Sequence, residues 1–380
     1  MTATGTNDAE HTFAAAGRLD APLSAEQFAE KLDAIRGRGT RMARHMAAEQ
    51  GFRRIYTGGA PLAGLGSPCS DIDLFVVLDE GEGDTEEQLF FEGQRVDVEY
   101  LKLRDLESLI DRFSSFTATS SDAEQIGFAS RSRLDRVTRF LLSEIVVDDG
   151  ELDRLHRKLT AAGSEFRKLL ISRHAQDAQN AAEDVSGAVL NGDLQSAEYQ
   201  SREMVYFAAE AYLCAAGDLY VNTKWLWAKW ARTFGDGGPQ DAELSAVIRD
   251  LGLPDPADAV ARNIWLAQDL LAMAATGYRY APVTGPRPAH TRRNPRYTLL
   301  PFSDGFVVTQ QVGAGVELSR EGVLLWGVAH GRPRADAATT ARKIMSEQGL
   351  DVGEDDVLAY YDSLVARELI VPSRADADDS

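Results

Sequence analysis

The run Leu74-Phe75-Val76-Val77-Leu78 contains no side chain that can hydrogen-bond, and the chain enters it through Asp71-Ile72-Asp73. A strand apolar on both faces belongs in a sheet covered on both sides, which points to α/β layering rather than a sheet with one wet face. Side chains alternate along a strand, so Asp71 and Asp73 fall on one face. Two neighbouring carboxylates repel unless a cation lies between them, and a hard divalent ion held by oxygen removes the conflict. Upstream, residues 52–57 read as a short strand that ends at Gly58 and Gly59. A glycine turn there exposes backbone N–H groups without Cβ obstruction, which lets a phosphate chain approach.

The remainder of the chain sets bounds on that reading. With 380 residues, two or three domains are expected rather than one. A net charge of −19 repels polyanions, so long nucleic acids and anionic membranes are disfavoured partners. Cys69 and Cys214 form no CxxC pair, and Cys69 has no adjacent His or Lys, so it reads as structural. A reducing, cytoplasmic setting fits this usage. No apolar run approaches a membrane span, and the first twenty residues lack the core of a signal peptide. The six histidines show no metal-ligand spacing.

Along the chain, residues 1–20 read as a mobile arm. From Ser24, Phe28, Leu32, Ile35, Met42 and Met46 keep helical spacing, with an interruption expected at Gly37 and Gly39. An acidic turn (79–87), a hairpin-like pair (89–92 and 95–103) and a helix (105–113) follow, so a catalytic α/β unit is placed at 21–115. Residues 116–280 are mainly helical, with one strand at 144–147. Four prolines and four arginines (Arg287, Arg292, Arg293, Arg296) mark 281–296 as a stiff, solvated linker. Three short strands (297–302, 306–310, 316–318) and three helices (320–329, 335–347, 354–367) then form a small winged-helix-like plan over 297–372.

A third acid joins the pair. In Val96-Asp97-Val98-Glu99 both acids alternate with apolar residues, so they share one face of a strand that can lie beside Asp73. Three acids from two adjacent strands suit two magnesium ions, one at an attacking hydroxyl and one at a triphosphate. The order of strand, Gly-Gly, spacer, Asp-Ile-Asp-Leu and a later Val-Asp-Val resembles the polymerase-β-like nucleotidyltransferase superfamily. That resemblance implies an α/β (α+β) catalytic domain with a mixed sheet. It also implies Mg2+ bound by Asp71, Asp73 and Asp97, phosphate contacts at Gly58 and Gly59, and ATP or another NTP as co-substrate. Many members carry Ser where this chain has Gly59, so a hydroxyl contact to phosphate is absent. Ser70 is placed with the phosphate loop, as a loop or cap residue rather than a nucleophile.

In the helical region, Lys224-Trp225-Leu226 resembles a Lys-Trp-Leu motif of antibiotic-type nucleotidyltransferases. Lys224 is the expected triphosphate ligand, or else a solvated lysine beside a tryptophan-rich core. Related enzymes supply a general base from such a domain, and Glu203 and Glu210, seven apart, are the candidates. The segment from Val316 to Gly331, with Leu369 and Ile370 later, resembles the PqqD-like family of leader-peptide recognition elements, which implies a peptide partner paired to a strand edge. The expectation is transfer of AMP from ATP, or of another NMP, to a hydroxyl on a small natural-product-like molecule or a peptide. A non-catalytic peptide-binding scaffold and transfer onto tRNA are the alternatives.

Overall fold

The computed structural model describes residues 24–67, 69–79, 85–120, 129–235, 245, 248–249, 253–280, 290–310 and 315–372. The arm at 1–20 and the first nine linker residues, 281–289, lie outside them.

Ser24 caps the first helix, α1 (Ala25–Gln50), through a capping box with Gln27, and Gly51 closes it in the left-handed region. The helix is continuous through Gly37 and Gly39, against expectation. Gly39 instead allows a close approach, because a Cβ there would sit 3.1 Å from Cγ2 of Ile72. Beneath α1 lies a five-stranded sheet of β1 (Ile55–Gly58), β2 (Ile72–Leu78), β3 (Thr85–Phe91), β4 (Gln94–Lys102) and β5 (Glu144–Val147), in the order β3-β4-β2-β1-β5. Only β2 and β4 run parallel; the other neighbours are antiparallel, so the sheet is mixed. Strand β3 begins at Thr85, so Glu86 and Glu87 belong to a strand and not to the expected acidic turn.

The alternation of β2 is used on both faces, as a doubly apolar strand requires. Leu74 and Val76 pack under α1 with Met42 and Met46. Phe75 and Val77 face the opposite layer, made by α2 (Leu103–Ser115), α3 (Arg131–Leu141), α4 (Glu151–Ala161) and the start of α5 (Gly163–Leu190). There Phe75 stacks on Tyr56 at 4.6 Å between ring centroids. Because β5 completes the sheet and α3 covers it, the α/β unit runs past the boundary expected at 115.

Among the described residues, the expected helical region and C-terminal module share one buried core. Helices α5, α6 (Leu194–Ala215), α7 (Leu226–Phe234) and α8 (Pro256–Thr276) share buried residues with the C-terminal elements. Those elements are a three-stranded antiparallel sheet, β7 (Thr298–Pro301), β8 (Phe306–Thr309) and β9 (Val316–Leu318), then α9 (Arg320–Ala329), α10 (Arg334–Glu347) and α11 (Glu354–Ala366). Between them β6 (Arg292–Arg293) pairs with β10 (Ile370–Val371). Arg293 is therefore not part of a solvated hinge. It is fully buried, 2.7 Å from the Asp269 carboxylate on α8, which also accepts from the Tyr280 hydroxyl at 3.0 Å. Phe302, just beyond β7, packs into the core of the first unit, so the C-terminal sheet joins the two cores.

Among the described residues no helix is long and apolar enough to cross a membrane.

Candidate active site

The parallel pairing of β2 and β4 sets Asp73 opposite Asp97, with Ile72 opposite Val96 and Phe75 opposite Glu99. Asp71, Asp73, Asp97 and Glu99 thus share the sheet face turned toward α3. They line a cleft of about 420 Å³ together with Arg139 of α3 and Lys224 from the helical region.

Gly59 explains how Asp73 fits. Its φ is +85°, and a Cβ on it would collide with Oδ2 of Asp73 and lie 2.8 Å from Cγ. Gly58, in register with Asp73 on β1, has the Phe75 ring 3.0 Å from where its Cβ would be. The glycine pair therefore makes room first for the acid and the ring. The loop after it is held from two sides. Arg36 Nε donates to Pro61 O at 2.9 Å, and Arg232, itself paired with Asp218, donates to Ala63 O. Ser70 lines the cleft, but its hydroxyl accepts from the Ser67 N–H at 2.7 Å, a loop-bracing role.

Three arginines that sequence reasoning did not single out balance the acids. Arg95 pairs with Asp71 and lies 3.7 Å from Asp97 Oδ1, and Arg139 Nη1 lies 3.1 Å from Asp73 Oδ2. Arg139 also reaches Asp135 at 2.7 Å, four residues earlier on α3. Arg136, on the same helix, pairs with Glu99. The signals were present in the sequence: Arg95 is two residues before Asp97 on one strand face, and Asp135 and Arg139 have i,i+4 spacing. What the sequence lacked was the position of α3 over β2.

Burial raises the Asp73 carboxyl to about 6 against the opposing charge of Arg139, and Asp97, Asp135 and Asp71 add to the rise. Asp97 and Glu99 are also raised, chiefly by burial, with Arg95 and Arg136 respectively acting the other way.

A bound cation can be tested against this arrangement. Among the described residues no three acids, histidines or cysteines converge tightly enough to hold a metal ion as they stand. The donor chemistry fits nonetheless: the acids are oxygen ligands on paired strands, and Asp97 Oδ1 is buried without a hydrogen-bond partner. Arg95, about half exposed, is the group that must move for Asp71 to join them.

The helical region contributes unequally. Lys224 reaches the cleft, its Nζ 5.0 Å from the Trp225 ring centroid. Tyr220 lines the cleft from the same segment, its hydroxyl pushed up to about 12 by burial. Glu210 does not reach the cleft. It is fully buried, paired with an equally buried Lys229, whose Nζ also donates to Tyr220 O at 2.8 Å. Glu203 is half-buried on the same helix and is not among the cleft-lining residues.

Comparison with protein families and with curated proteins finds no match. Among solved structures the chain is similar to a nucleotidyltransferase-like protein from Exiguobacterium sibiricum 255-15. Identity is 14%, with a TM-score of 0.35, over 63% of this chain and 77% of that one.

Proposed function

We propose that the chain is a nucleotidyltransferase that moves a nucleoside monophosphate, AMP from ATP, to a hydroxyl acceptor and releases pyrophosphate. The observation that supports this most directly is the register pairing of Asp73 with Asp97 at the floor of a cleft that Lys224 enters from the helical side. In this reading Asp71, Asp73 and Asp97 hold Mg2+ once Arg95 turns outward. The ion would neutralise the triphosphate charge and lower the pKa of an attacking hydroxyl. Lys224 faces the phosphates as a point charge, and Arg139 keeps the Asp73 carboxylate ionised and oriented. The acceptor is a small hydroxyl compound or a peptide. A peptide would pair with β9, which among the described residues pairs only with β8, as a PqqD-like module would have it.

The test is pyrophosphate release from each NTP with and without Mg2+. Asp73→Asn and Asp97→Asn should each lose at least a hundredfold, and turnover retained in both variants would overturn the reading.

A second reading is favoured by the arginines. With Asp71 and Asp73 each paired to a guanidinium, the acids can serve as a purely structural network in a non-catalytic binding protein. Titration with Mg·ATP separates the two, since such a scaffold shows no magnesium-dependent nucleotide binding.

A further inference from the structure

The acid cleft has two walls that come from distant parts of the chain. Ala60 and Pro61 line it beside the glycine turn, and Tyr220, Asn222, Lys224 and Trp225 line it from the helical region. Where the walls meet, their apolar contact is small: Ala60, Leu65 and Tyr220 are buried together, with Ala63, Leu142 and Trp225 packed around them. Apolar contact has no direction, so a patch of this size sets the spacing of the walls only loosely.

Arg232, on α7, supplies the directional bonds. Its Nε and Nη2 donate to Asp218, one to each carboxylate oxygen, both at 2.6 Å. Asp218 is nearly sealed from solvent, and it also accepts from the Thr233 hydroxyl at 3.2 Å and the Tyr220 N–H at 3.3 Å. With the fork fixed by that carboxylate, the guanidinium turns Nη1 to Ala63 O on the opposite wall. Ala63 follows Pro61 by two residues, and Asp218 precedes Tyr220 by two. One rigid planar group thus spans both walls, which a flexible ammonium cannot do.

Each end of this clamp is stiffly joined to a group in the cleft. On the loop side, Ala63 N–H donates to Gly59 O at 3.2 Å and Leu65 N–H to Ala60 O at 2.9 Å. On the helical side, Asn222 Oδ1 accepts from the Lys224 N–H at 2.9 Å. Arg36 grips the same loop at Pro61 O, but from α1 on the side of the first unit, so the two arginines brace it from opposite directions.

We propose that Arg232 is a positioning residue that fixes the Lys224 wall against the glycine-turn loop and so sets the reach of the Lys224 ammonium to a phosphate at that turn. The consequence for phosphate rests on the nucleotidyltransferase reading above, whereas the locking of the two walls does not.

The test is a double-mutant cycle on the full chain, read as Mg·ATP affinity by calorimetric titration. Arg232→Met and Lys224→Met should each weaken binding at least tenfold. The double variant should be no more than threefold weaker than either single one, because a lysine already out of place has little left to lose. A larger further loss, or wild-type affinity in Arg232→Met, would overturn the proposal. Arg232→Lys keeps a cation on Asp218 without the fork, so it should recover stability in urea melts but not affinity. Recovery of both would reduce Arg232 to a structural ion pair.

Amide hydrogen exchange reads the clamp with no nucleotide present. Arg232→Met should speed exchange at Ala63 and Leu65, across the cleft from Asp218, at least tenfold. Arg36→Met should speed the same amides while leaving that of Tyr220 unchanged. Unaltered exchange at Ala63 and Leu65 in Arg232→Met would refute the locking of the walls. Faster exchange there, in a protein whose wild type binds no Mg·ATP, would retain the clamp while refuting the nucleotidyltransferase reading.

Discussion

Gly59 and Asp73 occupy the same space: a Cβ on the glycine would lie 2.8 Å from Cγ of the aspartate, at a backbone φ of +85°. Gly59→Ala and Gly59→Ser should therefore both displace the Asp73 carboxylate and strain the turn. We expect a loss of about 1–3 kcal/mol in urea unfolding, together with loss of pyrophosphate release. A serine variant that keeps wild-type stability and turnover would show that the close approach is not required.

Arg139 bridges Asp73 and Asp135, both substantially buried. Arg139→Met should leave two buried carboxylates without their cation and lower stability by about 2–4 kcal/mol, discounted from the fully buried case because the arginine is partly exposed. Arg139→Lys keeps the charge but not the fork, so it should fall between wild type and Arg139→Met in chemical denaturation.

Glu210 and Lys229 form a sealed ion pair. Lys229→Met should destabilise by about 3–5 kcal/mol, and Glu210→Leu in the same chain should recover much of that loss. Glu210→Gln should change unfolding while leaving the turnover of the folded fraction unaltered. A fall in kcat at unchanged stability would instead restore Glu210 as a general base.

His174 and His330 are buried and held neutral, with pKa values pushed down to about 3 and about 2 by burial and neighbouring cations. A histidine that resists protonation only when folded favours the unfolded state as pH falls. Its contribution to stability is complete above the unfolded value near 6.5 and declines from there toward the folded value. Between pH 7 and pH 5 each such histidine should cost about 2 kcal/mol. His174→Gln should flatten the stability profile over that interval, and an unchanged slope in urea melts would contradict the buried-neutral assignment.

Arg95 neutralises Asp71 from an exposed position. Arg95→Ala should lower the Mg2+ concentration that half-saturates nucleotide binding, because the cation no longer competes with a guanidinium. A weaker magnesium requirement is the expected result of a nucleotide-binding titration.

The local pattern was strongly legible. Ser24 marked a helix start, residues 316–318 and 320–329 were bounded as found, and the alternation of Asp71 and Asp73, and of Asp97 and Glu99, set each pair on one face. Each of these depends on neighbours within a few residues. By contrast, Gly39 reads as a helix breaker until the sheet beneath α1 is known, and Arg293 reads as a solvated hinge residue until Asp269 meets it in the core. Glu210 shows the same limit: its helical position suggested a base, but only the approach of Lys229 decided that it is sealed.

The sequence by itself determined β2 and β4 and the acids on their shared face, because a run of apolar residues marks β2 as doubly buried and side chains alternate along each strand. Tertiary structure decided which charge each acid meets. Asp73 faces Asp97 through strand register, Arg139 through the seating of α3, and Gly59 through a turn that leaves no room for a side chain. Those partners lie 14 to 66 positions away along the chain, and only packing across the layers brings them within reach.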